Sequence, residues 1–393
     1  MLAVALAVLA VAAPPRVERI ATIVVPAHAT DLSGLTDLIA GDVPHSRLGG
    51  FGSAIEYTGK DHTYLILPDR GPRDGGTAYQ CRFHLATIAP ASDNPARWEF
   101  TLSRTVLLKD EQGRPFIGSS GAYRPSGNPD GRDDLRLDPE GVRIAPDGTI
   151  FISDEYGPHV LAFSPEGALL RRLPVPARYN PAVRDGLEEG ELPPRNPKGR
   201  QPNRGFEGLA LSPDGTTLLA FPQSPLIQDG GLDEANERIG RFIRVLHLPV
   251  SGHADPVEWV YPMKSAQFGT NELLHWSGQT YLAIERDNKE GDKAKAKRVI
   301  AADFSRATNV ADRAELPSLK LPADIVPADV STLIDLIDPA FGLNTPAAPM
   351  PAKVEGLAAG PKLPDGRRVL IVTTDNDFKP DEPSYLWIFA VRE

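Results

Sequence analysis

The stretch PEGVRIAPDGTIFISDEY, from Pro139 to Tyr156, contains the pattern that decides the fold. Apolar β-branched residues stand on both sides of Pro146-Asp147-Gly148, where Pro presets φ, Asp caps its own backbone and Gly accepts a positive φ. The stretch therefore predicts a β-hairpin. Glu140-Gly141 opens this hairpin and Asp154-Glu155 closes it. Because the outer ends of an antiparallel pair are neighbours, acidic groups should meet at one end.

The same pattern recurs along the chain, at Gly52–Gly71, Phe206–Ser224, Asn271–Asn288 and Val354–Asp377. One register of these hairpins holds Ser53, Glu140, Glu207, Glu272 and Glu355, and a second holds Asp69, Asp154, Gln223, Glu285 and Asp375. Repeats at such intervals are the signature of a β-propeller. We expect an all-β protein with a single β-propeller of about six blades, with the five hairpins as inner strands. The terminal strands Val17–Val25 and Ser384–Arg392 should build one more blade.

The composition fits a soluble globular chain, with 41% hydrophobic and 24% charged residues among 393. The formal net charge of −10 repels a phosphate backbone, so nucleic acid is not expected as a partner. An acidic surface suits cations better. Since Cys81 is the single cysteine, the chain can form neither an internal disulfide nor a cysteine-based metal site.

Residues 1–13 carry a short apolar run, Leu2 to Ala13, that ends in small residues. This run is too short to span a bilayer and is typical of a secretory signal, although the positive n-region is missing. An N-terminal strand or a frayed tail is the alternative. We expect cleavage after about Ala13, a propeller domain over 14–393, and a periplasmic or secreted protein with no stable membrane insertion after signal removal.

Three segments interrupt the repeat. Lys109 to Leu137 is polar and glycine-rich and should form a long loop on the face that carries the acidic ends. Pro174 to Arg204 lacks an aliphatic pattern and should be an insertion, since the repeat resumes at once. The latter half of Leu319 to Leu336 has helical spacing, which allows one short helix.

Four runs in order, DPEGVRIAPDGTIFISDEYGPHV, GFEGLALSPDGTTLLAFPQSPL, ELLHWSGQTYLAIERDN and VEGLAAG…LIVTTDNDF, closely resemble the phytase-like family, whose members are described as having esterase-like activity of phytase type. The resemblance extends roughly from Gly49 to the end. It implies an exported β-propeller with phosphomonoesterase or esterase chemistry on a small-molecule ester or phosphoester. The β-propeller phytases and gluconolactonase-type enzymes, which the chain also resembles, place divalent cations among carboxylates at the channel mouth.

Carboxylates collected at one end of a channel repel one another unless a cation lies among them, and calcium prefers oxygen ligands. Our candidate metal ligands are Glu140, Glu207, Glu355, Asp154, Asp375, Asp69 and Glu285, with calcium as the expected cation. Our candidate catalytic residues are Glu155 and His159 for proton transfer and Arg70 and Arg286 for clamping an anion. The alternatives are structural: carboxylates that accept backbone N–H bonds from the next blade, interblade salt bridges, and an exposed histidine.

Other chemistries lack their motifs. The run GSSGA at Gly118 to Ala122 misses the last glycine of G-x-S-x-G, and no H-E-x-x-H, P-loop or Rossmann fingerprint occurs. The acidic run at Asn128 to Asp134 departs from a calcium loop in its glycine position. Two hypotheses stay open: an exported metal-assisted hydrolase of phosphate esters or related esters, or a non-catalytic propeller that binds a ligand or partner at its acidic channel face. The neutral Ser53 and Gln223 leave room for the second.

Overall fold

The fold is seen in a computed structural model, which describes residues 16–120, 135–183, 188–252 and 257–392. The expected signal segment and the acidic run at 128–134 lie outside these residues. The described chain is built from β-strands and four short 3₁₀ turns at Glu188–Glu191, Ile227–Asp229, Gly291–Lys293 and Pro339–Phe341. None of its helices is long and apolar enough to cross a membrane.

The strands form five four-stranded antiparallel sheets and one small ribbon. Strand β1 (Val17–Val25) opens the chain, followed by the ribbon β2 (Leu38–Ile39) and β3 (Val43–Pro44). Blade 1 contains β4 (Ala54–Tyr57), β5 (Thr63–Leu67), β6 (Arg82–Pro90) and β7 (Trp98–Leu107). Blade 2 contains β8 (Pro139–Ile144), β9 (Ile150–Asp154), β10 (His159–Phe163) and β11 (Leu169–Arg172).

Blade 3 contains β12 (Phe206–Leu211), β13 (Thr217–Pro222), β14 (Phe242–Pro249) and β15 (Val257–Pro262). Blade 4 contains β16 (Gly269–Ser277), β17 (Thr280–Arg286), β18 (Lys297–Asp303) and β19 (Asp329–Asp335). Blade 5 contains β20 (Lys353–Lys362), β21 (Arg368–Asp375) and β22 (Ser384–Val391), and β1 pairs with β22 as its outermost strand. The short helix expected in the latter half of 319–336 was wrong, because that part pairs with β18 as β19.

The blades are arranged around one axis. Strand β4 contacts β8, β8 contacts β12, β12 contacts β16, β16 contacts β20, and β20 returns to β4. These five strands are the first strands of the five motif hairpins, so the prediction of a single propeller with the motif hairpins innermost is confirmed.

The number of blades is five rather than about six. The sequence prediction assigned the chain termini to an extra blade. Instead, β22 pairs with β21, the second strand of the fifth hairpin, and β1 then pairs with β22. The termini therefore complete the fifth blade and close the ring with main-chain hydrogen bonds between the two ends of the chain.

Apolar side chains fill the five interfaces between successive blades. Each interface has its own buried cluster, as between blades 1 and 2, where Leu65 and Phe83 pack against Val142 and Ile152. Because the middle strands are covered on both faces, β9 and β21 are almost entirely buried and read as continuous apolar runs. This packing fixes the inner strands and leaves their ends facing a common channel mouth.

Candidate functional site at the channel mouth

The glutamate that opens the motif is an extra residue in its strand. In four blades the ladder between the two inner strands shifts register by one residue at this point. Such a β-bulge re-aims the side chain of the extra residue and is common beside sites. The bulges lie at Glu140-Gly141, Glu207, Glu272 and Glu355. The motif therefore encodes a bulge, which places a carboxylate where regular alternation would not.

The glycine that follows the glutamate is required by close packing between neighbouring blades. A Cβ built on Gly141 would lie 2.9 Å from the carbonyl oxygen of Glu207. A Cβ on Gly208 would lie 2.0 Å from Phe221 Cε1 and 2.9 Å from the carbonyl carbon of Glu272. Only a residue without a Cβ fits at these two positions.

The channel mouth collects charged side chains from all five blades. Its carboxylates are each at most 8% exposed and outnumber the cations by seven to four. The carboxylates are Asp69, Asp138, Glu140, Glu155, Glu207, Glu355 and Asp375, and the cations are Arg70, Arg204, Arg286 and Lys353. Because an unbalanced buried charge is costly, the excess of carboxylates calls for protons or for a further cation.

Blade 2 supplies the densest acidic group. Carboxylate oxygens of Asp138, Glu140 and Glu155 all lie within 4.8 Å of one another. The Arg70 guanidinium donates through Nη1 to Asp138 Oδ2 at 2.5 Å and lies 3.5 Å from Glu155 Oε2. The second oxygen, Glu155 Oε1, is buried and has no hydrogen-bond partner in the part of the chain that the structure describes. Arg70 thus neutralises part of this group and leaves one oxygen of Glu155 unused.

Glu207 lies at the centre of a chain of amides. Its Oε1 accepts from Gln223 Nε2 at 2.5 Å and from Asn271 Nδ2. The side-chain oxygen of Gln223, Oε1, in turn accepts from Arg204. This explains why glutamine replaces an acid in blade 3, since Gln223 links a cation to a carboxylate. The other oxygen, Glu207 Oε2, is buried and has no partner among the described residues, and the same holds for Asn271 Oδ1.

On the side of blade 5, a lysine lies among three carboxylates. Lys353 Nζ is 3.7 Å from Asp69 Oδ2, 3.0 Å from Asp375 Oδ2, and in contact with Asp377. An ammonium group therefore occupies the position that two of our candidate metal ligands, Asp69 and Asp375, would share.

Glu355 is paired on both of its oxygens. Arg286 donates through Nη2 to Oε1, and the hydroxyl of Ser53 donates to Oε2 at 3.5 Å. The neutral Ser53 in blade 1 thus faces an acid of blade 5 and supplies a hydrogen bond where a fifth glutamate would have repelled it.

Burial raises the pKa of the mouth carboxylates, and their mutual repulsion adds to the effect. The pKa of Glu207 rises to about 7 because of burial and the charge of Glu355. Burial and the charge of Glu207 raise the pKa values of Glu140 and Glu155 well above the ordinary range. The pKa of Asp375 rises to about 6, chiefly through burial, although Lys353 opposes the shift. The carboxylates nearest to Glu207 thus hold protons readily when no cation is present.

Three predicted site residues lie apart from this cluster. Asp154 accepts backbone N–H bonds at 3.0 Å from Asp138 and at 2.8 Å from Gly157, so it holds the turn after β9. Glu285 accepts from the Tyr261 hydroxyl at 2.8 Å, between blades 3 and 4. His159 begins β10 opposite Asp154, one strand farther from the axis. The contacts of Asp154 and Glu285 are therefore structural hydrogen bonds, of the kind that the sequence analysis gave as the alternative to metal binding.

Glu272 also turns away from the mouth. Its φ of 50° is in the left-handed region, and its Oε1 accepts from Arg143 Nη2 at 2.7 Å deeper in the channel. Arg143 also lies 3.4 Å from Glu56. Burial raises the pKa of Glu272 to about 8 and that of Glu56 to about 7. This second group plugs the channel below the mouth.

A cleft of about 570 Å³ lies beside the mouth. Its walls come from the loop after β5, the loop after β21 and the segment around β3, and the first two loops each contain two consecutive non-glycine residues with positive φ. Such strained backbone is concentrated at functional sites. The lining includes Arg73, Asp74, Lys353, Asp377 and Phe378.

Sequence reasoning missed several residues of the mouth. Asp138 and Lys353 each stand two positions before a motif glutamate, in DPEG and KVEG, so the motif could have been extended to include them. Asn271 bonds to Glu207 and Asn203 accepts from Arg70, but no local sequence pattern indicates either contact. The strand end at Asn271 and the loop at Asn203 bring these side chains to the mouth. Arg204 is the last residue of the segment that the sequence predicts as an insertion, so nothing in its pattern indicates a place at the mouth.

Residues 46–378 match the family model described as "Phytase-like: Esterase-like activity of phytase". An "Uncharacterized secreted protein" of Arthroderma benhamiae is 29% identical over 336 residues, which are 69% of this chain and 63% of that protein. This chain thus spans less than two thirds of that relative's length.

Two solved structures are similar at low identity. The periplasmic gluconolactonase of Pseudomonas aeruginosa has a TM-score of 0.38 at 12% identity, over 96% of this chain and 100% of that one. A luciferin-regenerating enzyme has a TM-score of 0.37 at 10% identity, over 87% and 92% of the two chains. TM-scores this low carry no argument about function.

Proposed function

Because the chain belongs to the phytase-like family, we propose that it is an exported hydrolase of phosphate esters or related esters that works with a divalent cation, calcium being the expected one. One observation supports the presence of a cation at the mouth. Among the residues that the structure describes, Glu207 Oε2 is fully buried without a partner, in a mouth where seven carboxylates face four cations. Unpaired carboxylate oxygens of this kind are the ligands that hard cations take.

The residues present fit such a cation. Glu140 and Glu207 would hold it, and Asp138 completes the oxygen-rich surroundings. A bound divalent cation supplies Lewis-acid polarisation of a phosphoryl or acyl oxygen. We do not place the cation at Asp69 and Asp375, because the Lys353 ammonium group already lies between these two carboxylates.

The chain's own residues would bind the substrate and move the proton. Arg70 and Arg286 each have a buried Nε that bonds to no described residue, and their guanidinium groups would attract an anionic substrate oxygen. Glu155 would accept a proton from an attacking water at Oε1, its unpartnered oxygen, and would return it to the leaving group. The neighbouring cleft of about 570 Å³ is large enough to take the rest of a small substrate.

Export is supported by two observations. The apolar run at residues 2–13 is typical of a secretory signal, and the relative from Arthroderma benhamiae is described as secreted. N-terminal sequencing of the protein from its native host should show a mature chain that begins near Pro14. An intact N-terminus in the cytosolic fraction would contradict export.

The activity test uses p-nitrophenyl phosphate and p-nitrophenyl acetate, each with calcium and with EDTA. We expect calcium-dependent hydrolysis of at least one of them. Glu155→Gln should abolish hydrolysis while retaining calcium binding, whereas Glu166→Gln, at an exposed turn of blade 2, should change neither. Calcium binding without hydrolysis of either ester would favour the alternative, a non-catalytic propeller that binds a ligand or partner at its acidic face.

A further inference from the structure

Blade 4 brings a different side chain to the mouth from the other blades. Its bulge residue, Glu272, turns down the channel to Arg143, and the preceding residue, Asn271, reaches the mouth instead. Asn271 is 1% exposed, and its Nδ2 donates to Glu207 Oε1. The side-chain amide of Asn271 therefore contacts Glu207, the carboxylate that we propose as a ligand of the cation.

The remaining oxygens of these two residues are both unsatisfied. Asn271 Oδ1 and Glu207 Oε2 are buried, and neither accepts a hydrogen bond from any residue within 16–120, 135–183, 188–252 or 257–392. Buried polar atoms in folded proteins almost always have a partner, so two such atoms on touching residues require an explanation. Both atoms are acceptors, so what each of them lacks is a cation or a hydrogen-bond donor.

We propose that Asn271 is a ligand of the cation through Oδ1, so that the site extends over blades 2, 3 and 4 with Glu140, Glu207 and Asn271. This rests on the cation of the proposed function, but not on the hydrolysis. Side-chain amide carbonyls are regular ligands of calcium, and a set of two carboxylates and one amide suits a hard divalent cation. Asn271 would thus supply the cation ligand from blade 4, as the motif glutamates Glu140 and Glu207 would from blades 2 and 3.

Gln223 offers a matched control. Its Nε2 donates to the same oxygen of Glu207 as Asn271 Nδ2 does. Unlike Asn271 Oδ1, however, the side-chain oxygen Gln223 Oε1 already accepts a hydrogen bond, from Arg204. Replacing either amide by an apolar side chain of similar size removes one hydrogen bond to Glu207 Oε1. Only the replacement of Asn271 also removes an unpartnered oxygen.

The experiment is calorimetric titration of calcium into the full-length mature protein and into the Asn271→Leu and Gln223→Met variants. We expect Asn271→Leu to weaken calcium binding by roughly tenfold or more, and Gln223→Met to weaken it much less. Equal weakening in the two variants would overturn the proposal, because Asn271 would then act only by positioning Glu207. Unchanged affinity in Asn271→Leu would overturn it as well and would leave the proposed function intact.

A second variant covers the case in which Asn271→Leu does not fold. Asn271→Asp keeps the shape and the Oδ1 atom, adds a charge and removes the donor to Glu207. We expect it to bind calcium more tightly than the wild type and to be less stable in EDTA, whereas lower affinity would overturn the proposal. If the wild type binds no calcium, this inference and the cation of the proposed function fail together. Calcium binding that depends on Asn271 without ester hydrolysis would refute the hydrolase alone.

Discussion

Replacing Glu207 by glutamine should change stability in opposite directions in the absence and in the presence of calcium. Without a cation, the pKa of Glu207 is about 7 in the folded protein, against an ordinary 4.5 in an unfolded chain. The folded state therefore binds more protons than the unfolded state between these values. Stability that is present below pH 4.5 is lost as the pH rises to about 7.

The size of this loss follows from the two pKa values. Their difference corresponds to about 3 kcal/mol at pH 8, as an upper value for one carboxylate in a coupled group. A glutamine side chain cannot ionise, and its carbonyl oxygen can still accept from Gln223 and Asn271. In EDTA at pH 8, Glu207→Gln should thus be more stable than the wild type by up to about 3 kcal/mol.

Calcium should reverse the order. A cation that binds only the folded state adds about 2.7 kcal/mol at a concentration 100 times its Kd, and the variant should gain little of this. The assay is urea unfolding of both proteins at pH 5 and pH 8, in EDTA and in calcium, with Glu166→Gln as the control for an exposed charge change. A Glu207→Gln variant that is less stable than the wild type in EDTA and insensitive to calcium would refute the reasoning, because Glu207 would then serve only an interblade hydrogen-bond network.

Three further predictions concern the parts that hold the mouth. Gly208→Ala should lower stability by about 1–3 kcal/mol or more in urea unfolding, because its Cβ would overlap the buried Phe221 of blade 3 and lie 2.9 Å from the Glu272 carbonyl carbon of blade 4; an unchanged midpoint would contradict this close packing. Arg143→Met should cost about 3–5 kcal/mol at pH 9, where Glu272 is ionised in the wild type and loses its buried partner, and less at pH 6, where this carboxyl, with a pKa of about 8, is protonated in both proteins; a loss that does not depend on pH would count against the ion pair. Lys353→Met should lower the melting temperature in EDTA, because Asp69 and Asp375 lose the ammonium group between them. Calcium should restore part of the loss by taking the place of the ammonium group. Equal melting temperatures for variant and wild type in EDTA would show that the lysine does not stabilise these carboxylates.

The sequence predicted the propeller because its local signals agree with its global arrangement. Each motif hairpin combines a Pro-Asp-Gly or similar turn with strands that are buried on both faces, and this pattern is visible without any tertiary information. The number of blades was not visible in this way. It depends on whether β1 and β22 join the fifth hairpin or build a sheet of their own, and both possibilities have the same strand pattern.

The candidate site was predictable only in part, for a related reason. The register of Glu140, Glu207 and Glu355 indicates a shared end of the channel, since strand direction fixes where each motif begins. Register does not show which bulge residue turns inwards, and Glu272, in the same register, turns the other way. Nor does it show that Lys353 lies among the acids, because that contact joins side chains from separate blades.

The most direct test of a cation at the mouth is an anomalous difference map from crystals of the full-length mature protein that have been soaked in terbium, a luminescent and strongly scattering substitute for calcium. We predict one strong peak between Glu140, Glu207 and Asn271, and no peak at the Lys353 group. A map without a peak among those three residues, or with peaks only at surface carboxylates, would contradict the account.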